Sequence, residues 1–366
     1  MPEHPIPALS ARLAFADGLR GLAALWVLLF HLSTGHHLDA LLAALPAPVD
    51  RVVFTWGHGG VAVFFVLSGC VLALTAERVA LDAAGAGRFV LRRLLRLAPP
   101  YVVALLAAVA LGLAKGESFD APQLAAHLLF VQTLVDVPPV GIVFWTLGIE
   151  FQFYAAFALL TWLADTLGAA RAARAARART ISRRVAAALA LAWPLGWLAT
   201  PVQPAGFLPF WGQFMAGVLA WEAMRGRRTA LFLAPAFAVL LLACGVARED
   251  LFTGIAGATA LALLAAHASG GLQAWLSGRA AQALGRISYS LYLMHVPTIT
   301  LAAALLHRLP PHAGLAGELA DAAFILVACL AVAWAFWHAI ERPSIRWSHR
   351  LALSRPAPVA ATPLRG

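Results

Sequence analysis

Apolar stretches alternate along the chain with short polar or arginine-bearing connections. Each stretch is about 17 to 25 residues long, the length of a helix crossing a hydrocarbon layer. About ten are legible: Leu19 to Leu38, Gly59 to Glu77, Pro99 to Lys115, Val143 to Asp165, Val185 to Thr200, Phe207 to Met224, Thr229 to Ala247, Leu251 to Ala268, Ile287 to Leu306 and Leu319 to Ile340. Inside lipid every backbone polar group must be paired within its own segment, so these stretches are expected to be helices. The fold class expected is all-α, a polytopic membrane protein of about ten transmembrane helices. Gln123 to Val135 is too short to cross, is bracketed by Asp120 and Asp136, and reads as a re-entrant or interfacial helix. Counting it as a span would move the arginine-rich loop that follows to the other side.

The pattern is broken most sharply in its first stretch, which holds Arg20 and His31. Eleven residues make three helical turns plus about 20°, so the two side chains point the same way, roughly 16 Å apart along the axis. Asp17 falls on that face too. A charge facing acyl chains costs about 2.5 to 3.5 kcal/mol even on the lenient insertion scales, so the stripe is expected to face a polar interior. The stretch has no small-residue cleavage site behind it and reads as a retained span rather than a signal peptide.

Composition agrees with the pattern. Of the 366 residues, 61% are hydrophobic and 12% charged, too apolar for a domain that meets water on every side. The net charge of +10 could fit a nucleic-acid partner, but its distribution argues against one. Apart from Lys115 the basic residues are arginines, gathered in tracts between spans: Arg78 to Arg96, Arg171 to Arg184, Arg225 to Arg228, Arg279 to Arg286 and the tail from Arg342. With ten spans, only Arg51, Lys115, Arg248 and Arg308 fall on the outer side, whereas Asp39, Asp50, Glu117, Asp120, Asp136, Glu249, Asp250, Glu318 and Asp321 all do. This is a positive-inside bias with both termini cytoplasmic. The loop of Arg171, Arg174, Arg177, Arg179, Arg183 and Arg184 reads as an anchor against anionic membrane lipid. Cys70, Cys244 and Cys329 sit singly in apolar runs, so neither a disulfide framework nor a metal site follows.

Several residues can carry chemistry. His31 as a neutral imidazole is a competent general base for a hydroxyl nucleophile, or else hydrogen-bonds between helices for packing. Arg88, Arg92 and Arg96, with Arg93 alongside, precede Pro99 and Pro100; guanidinium groups there suit bidentate phosphate contacts or fix topology alone. Trp145, Thr146, Glu150, Gln152 and Tyr154 cluster in one span, with Glu150 and Tyr154 on one face. A carboxylate at that depth needs a partner, for which Arg20, His31 or a substrate are candidates. Ser288, Tyr289, Ser290, Tyr292 and His295 share a later span, and two deep histidines on different helices point to a shared cavity. Ser68 and Gly69 permit close helix approach, and His58, set among Gly57, Gly59 and Gly60, can line an entrance at the outer rim. His36, His37, His307 and His312 read as solvated loop residues. The sequence contains no P-loop, dinucleotide fingerprint, HExxH or GxSxG, which argues against nucleotide hydrolysis, redox chemistry and serine hydrolysis.

Taken in order, these blocks resemble the acyltransferase 3 family of bacterial membrane acyltransferases. Asp17 to Ala23 running to His31 is similar to its Arg, ten residues, His signature. Phe64 to Gly69 is similar to its Phe-Phe-Val-Leu-Ser-Gly block, Arg93 to Arg96 to its Arg-x-x-Arg motif, and Trp145 to Tyr154 to its Trp-Ser-Leu-x-x-Glu-x-Gln-Phe-Tyr block. Tyr289 to His295 and Glu341-Arg342-Pro343 resemble two later blocks. Thr146 stands where the family has serine, and Phe151 replaces an acidic residue often found beside the glutamate, leaving Glu150 the only carboxylate there.

The resemblance implies an enzyme of the bacterial inner membrane that moves an acyl group, commonly acetyl, from cytoplasmic acyl-coenzyme A to a sugar hydroxyl. Acyl-CoA is then a co-substrate, with no permanently bound cofactor, and membrane lipid and a carbohydrate acceptor are the partners. The implied catalytic set is His31, Glu150, Asp17 and Arg20, with His31 as base or as carrier of a transient acyl adduct. Asp17 or Glu150 would orient the imidazole, and Arg20 would steer donor or stabilise an oxyanion. Arg92, Arg93 and Arg96 would bind donor phosphates. His295, Tyr154, Trp145, Tyr292, Ser68 and His58 would line the substrate cavity. One integral-membrane domain is expected over residues 1–345, with a short cytoplasmic tail over 346–366 and no appended esterase-like domain. The rival reading is a secondary transporter or lipid-linked sugar flippase, since intramembrane charges also mark translocation routes; the repeated halves common in transporters are not visible in the sequence.

Overall fold

A computed structural model describes residues 13–77, 83–135, 137–167, 172–198, 206–309 and 314–351. Arg78, Asp136, Arg171, Thr200 and His312 lie outside them, as do the side chains of Arg174 and Arg177. Among the described residues all regular structure is helical. In chain order the helices are α1 (Ala14–Thr34), the short α2 (Asp39–Ala44) and α3 (Ala47–Val53), α4 (Gly60–Ala76), α5 (Ala83–Ala114), α6 (Ala121–Leu128), α7 (Trp145–Leu167) and α8 (Ala172–Ala190). They continue as α9 (Trp211–Met224), α10 (Arg228–Ala247), α11 (Leu251–Ala268), the single turn α12 (Gly271–Ala274), α13 (Arg279–Leu306), α14 (Gly314–Phe336) and α15 (Arg342–Arg350).

Eight helical segments among the described residues are long and apolar enough to cross a membrane. Two expected spans do not meet that measure. Val185 to Thr200 is the end of the arginine-bearing α8 followed by turns from residue 191. Phe207 to Met224 is mostly the 14-residue α9, about 21 Å long at 1.5 Å per residue against a core of about 30 Å. The expected start of the third span at Pro99 also moves. Pro99 and Pro100 lie inside α5, which is continuous over 32 residues, so the arginine tract and the apolar segment form one rod. Gln123 to Val135 is a short helix followed by turns, as its length predicts, and Asp120 caps α6 by accepting from the Gln123 N–H at 2.7 Å. At the C-terminal end a π-helical turn over Trp337–Glu341 precedes α15. Residues 346–350 of the expected tail are therefore helical, and residues 352–366 lie outside the described ones.

The chain divides into two compact units, Met1–Leu67 with Glu222–Trp334, and Ser68–Trp221 with Ala335–Gly366. Each unit is assembled from two separate stretches of the chain.

In the first unit α1 packs along α13 with almost no side-chain spacer. A Cβ built on Gly21 would lie 2.6 Å from the Gly285 nitrogen, and one on Gly285 would collide with the Asp17 carbonyl. Small residues permit this approach, the usual means of close helix packing in membranes. Gln282 ties the two starts by donating to the Ala14 carbonyl at 2.8 Å. The core beside this seam is built from Ala24, Leu28, Leu32, Leu291, Ile299, Ile325, Cys329 and Ala333. Beyond the C-terminal end of α1, Glu318 accepts from the Ala40 and Leu41 N–H groups at 2.8 and 2.9 Å and so caps α2.

In the second unit Phe153 stacks on Phe214 at 4.1 Å between ring centroids, and Gly69 lies against the Phe214 backbone, where a Cβ has no room. The loop after α6 is pinned by Tyr101, whose hydroxyl donates to the His127 carbonyl at 3.1 Å. His127 is itself used at both ring nitrogens, Nδ1 donating to the Gln123 carbonyl at 2.9 Å and Nε2 accepting from the Val140 N–H at 3.2 Å. The arginine loop is tied to α7 by an Arg179–Asp165 ion pair of 2.6 Å and by Arg183 lying over the Phe157 ring.

The glycine seam gives a test with opposite signs. Gly285→Leu must push α13 off α1 and should cost at least the ~1–3 kcal/mol of an overpacked core, read as a lowered thermal midpoint of the purified protein in detergent. On α5 an added methyl at Gly87 meets no atom within 4 Å. Gly87→Ala should therefore leave the midpoint unchanged or raise it, by up to about 1 kcal/mol.

Candidate active site

Ten residues beyond the Gly21–Gly285 contact on each helix, the rings of His31 and His295 meet with centroids 5.0 Å apart, tilted by 37°. The equal spacing means that α1 and α13 run parallel and in register over about 15 Å. A cluster of rings surrounds the pair. Phe30 contacts both His31 and His58, at 5.0 and 4.9 Å, and His58 lies against Phe252. Tyr292 is 5.9 Å from His295 and 5.6 Å from Phe64. The first unit thus gathers His31, His58, Tyr292 and His295.

The histidines differ in their surroundings. His31 is half-buried. His58, also half-buried, has its Nδ1 on the Thr55 carbonyl at 2.9 Å. His295 is 1% exposed, its Nδ1 lies 2.7 Å from the Tyr292 carbonyl and 3.1 Å from that of Leu291, and its Nε2 has no hydrogen-bond partner. The Cys329 thiol approaches the backbone carbonyl of His295 at 3.8 Å. Outside the spans, His36 pairs with Asp39 at 3.1 Å. His37 is half-buried rather than solvated, and burial, reinforced by His307, holds its imidazole below the ordinary histidine range.

The remaining α1 residues share the expected face but not the expected contacts. Arg20 is half-buried with its Nε unpartnered, and roughly 16 Å of continuous helix separates it from His31. That distance is too great for Arg20 to stabilise an oxyanion at the imidazole. Asp17 is 14 residues away, about 21 Å, and cannot orient the ring.

The second unit holds a different polar cluster. Glu150 accepts at Oε1 from the Ser68 hydroxyl at 2.5 Å and from the Tyr154 hydroxyl. The partner found for the deep carboxylate is therefore a pair of hydroxyls. Arg93 is 9% exposed, donates to the Thr75 hydroxyl at 2.8 Å, and lies 5.4 Å over the Tyr154 ring and 5.7 Å over that of Phe89. It is committed inside the bundle instead of standing at an open phosphate site, because it lies about 100° round the helix from Arg92. Arg92 and Arg96 are half-buried, and Arg92 meets His349 Nδ1 at 2.5 Å. Trp145 packs on Phe210 at 5.4 Å, Thr146 donates to the Val143 carbonyl, and Gln152 donates to the Phe130 carbonyl and the Thr133 hydroxyl.

Thr75 and Glu222 were not legible as buried polar partners. Thr75 pairs with Arg93 across 18 positions of sequence. Glu222 is 3% exposed within an apolar stretch and accepts from Arg227 at 3.1 Å; an acid five residues before an arginine is the one signal that could have found it.

The geometry thus joins two deep imidazoles in a membrane bundle, and comparison with known proteins gives the class. The family model for an acyltransferase domain, acyltransferase 3, matches residues 13–338, and the chain belongs to that family. It is similar to the "Exopolysaccharide production protein ExoZ" of Rhizobium meliloti (strain 1021), 28% identical over 341 residues, covering 87% of this chain and 95% of that protein. It is also similar to the "Acyltransferase MdmB" of Streptomyces mycarofaciens, 29% identical over 400 aligned positions, covering 98% and 97%. No solved structure matches the chain significantly. The protein is therefore a membrane acyltransferase, and the transporter reading gives way.

The Glu150 cluster predicts a coupled loss of stability. Tyr154→Phe and Ser68→Ala should each destabilise the protein by between about 0.6 kcal/mol, the mean for intramembrane hydrogen bonds, and about 3 kcal/mol, the upper value for bonds to a charged group. Because both hydroxyls donate to one oxygen, the double variant should depart from additivity by about 0.5 kcal/mol or more in detergent unfolding. Strict additivity would mean that the two donors act independently.

Proposed function

We propose that the protein is an O-acyltransferase that moves an acyl group, acetyl in the commonest family reaction, from acyl-coenzyme A to a sugar hydroxyl. The observation that carries this reading is the His31–His295 contact, an imidazole pair deep in the bundle of a chain that belongs to an acyltransferase family. His31 takes the proton of the acceptor hydroxyl as its oxygen attacks the thioester carbonyl. The carbon–sulfur bond breaks, and the proton leaves with the coenzyme A thiolate as free thiol. Tyr292 and His58 line the approach to the pair. Arg92 and Arg96 take donor phosphates, for which a planar guanidinium is suited. Arg93, bound to Thr75, serves to hold its bundle together. Arg20 steers the donor: its unpartnered Nε stands roughly 16 Å from His31 along α1, a separation that an extended pantetheine arm can span.

The name of the Rhizobium relative favours a surface polysaccharide, or the lipid-linked glycan it is built from, as acceptor; a glycosylated metabolite satisfies the same chemistry. The arginine distribution favours a bacterial inner membrane setting with both termini cytoplasmic and the donor arriving from that side. Ten crossings, with α8 and α9 supplying two short ones, preserve that bias.

The assay is release of free thiol from acetyl-CoA by protein in proteoliposomes, with and without a glycan acceptor. His31→Ala should lower turnover by about 10²- to 10⁴-fold, the range for loss of a general base, in protein that still inserts and purifies as a single species. Arg92→Ala and Arg96→Ala should raise KM for acetyl-CoA with kcat little changed, the signature of lost uniform binding. An active His31→Ala protein would remove the base assignment, and absence of thiol release from the wild type with every glycan tried would sink the reaction itself.

A further inference from the structure

His295 has one ring nitrogen satisfied and one left over. Its Nδ1 faces only the carbonyls of Leu291 and Tyr292, at 3.1 and 2.7 Å, and carbonyl oxygens can only accept, so Nδ1 carries the proton. In the neutral ring Nε2 is then a bare lone pair. That atom is buried and has no hydrogen-bond partner, and the ring it belongs to lies against His31. His127 shows what a purely structural buried histidine looks like in the same chain, with a backbone carbonyl on one nitrogen and a backbone N–H on the other. His295 has the first half of that arrangement and lacks the second.

From this geometry we propose that His295 is a proton-relay and positioning residue, acting through His31. The inference rests on the assignment of His31 as the base. As the acceptor hydroxyl gives its proton to one ring nitrogen of His31, the two rings close to hydrogen-bond distance and the proton on the other nitrogen passes to His295 Nε2. His295 becomes the imidazolium, with Nδ1–H held on two carbonyls whose negative ends stabilise the charge. The proton returns by the same path, and the thiolate leaves as thiol. No proton is created or lost, and no carboxylate need stand beside His31, which agrees with Asp17 being out of reach along α1. The titratable groups facing the pair are His58 behind Phe30, Tyr292 on the same helix as His295, and Cys329 on α14. Two imidazoles in contact titrate as a pair, so apparent values belong to both.

The test compares His295→Gln, His295→Ala and His31→Ala in the thiol-release assay across pH. Glutamine can accept a hydrogen bond but cannot take a proton. His295→Gln should lower kcat by about 100-fold, the lower range for lost acid–base help, with KM for acetyl-CoA within about twofold, a margin set against this loss of a transition-state interaction. It should also move the acid limb of the pH profile, where protonation of the pair silences the wild type. His295→Ala should regain part of its activity with added imidazole. A His295→Gln protein with wild-type kcat and an unmoved acid limb overturns the relay, and if His31→Ala is dead in the same series the base assignment survives that failure. An active His31→Ala protein instead removes the parent reading. Should neither His295 variant fold, nitrogen-15 spectra of histidine-labelled wild type decide. A deep imidazole in the Nδ1–H form, with a signal that shifts in His31→Ala, supports the relay, and a deep pair wholly in the Nε2–H form overturns it.

Discussion

In hydrocarbon there is no water to satisfy a polar side chain, so each one must find a partner inside the protein or stand where a substrate can supply it. That constraint separates the deep polar residues of this chain into two kinds. Glu150, Arg93 and His127 have protein partners for what they donate or accept, and their work is to fix the helices and the loop after α6. His295 Nε2 and Arg20 Nε are among the buried atoms that have none, as are the side-chain oxygens of Gln132, Gln152 and Gln213. His295 and Arg20 both belong to the unit in which α1 and α13 run side by side.

The seam between those two helices explains why the imidazoles meet. A side chain larger than hydrogen at Gly21 or Gly285 would hold the backbones apart, and a separation of even 1 Å at that crossing would carry along two rigid rods to the ring contact ten residues on. Parallel direction matters as much as closeness. Because the helices rise together, one residue pair sets the register of the other, and the contact between His31 and His295 is determined at Gly21 and Gly285. The site is thus built on helices rather than loops, the arrangement that best holds a constellation to the tolerance that proton transfer requires.

Much of this was legible in the sequence because membranes simplify the code. Apolar runs of span length identified α1, α4, α7, α10, α11 and α14 to within about five residues, and the end of α13, whose start at Arg279 lies eight residues before the expected Ile287, since few other structures satisfy such a run in lipid. The boundaries that failed did so for local reasons. Pro99 and Pro100 read as a helix start, yet they lie inside α5, where prolines are tolerated in a membrane helix because surrounding groups re-satisfy the backbone. Val185 to Thr200 read as a span on hydropathy alone, but α8 begins well before it among arginines and stops at Ala190. Among the site residues, helical periodicity placed Asp17, Arg20 and His31 on one face and could not reveal that length along that face separates them. No pattern within one helix announces the hydroxyls that Glu150 finds, because Ser68 lies 82 positions away. Nor does sequence reveal which nitrogen of His295 is bound, since that depends on its side chain folding back onto the preceding turn.

That last detail bears on how the reaction can proceed without an acid in the usual triad position. A carboxylate orients a catalytic imidazole by fixing its tautomer and balancing the charge it acquires. Here the carbonyls of Leu291 and Tyr292 can do the first for His295 through Nδ1, and as dipole ends they offset part of the second. In the proposed reaction, a neutral imidazole beside His31 also avoids placing a permanent anion in the bundle, which would bind the imidazolium tightly and slow its return of the proton to the leaving group. The departure of Phe151 from the acidic residue often found beside the family's glutamate fits the same economy of charge: Glu150 is already satisfied by two hydroxyls, and a second carboxylate beside it would need a partner of its own.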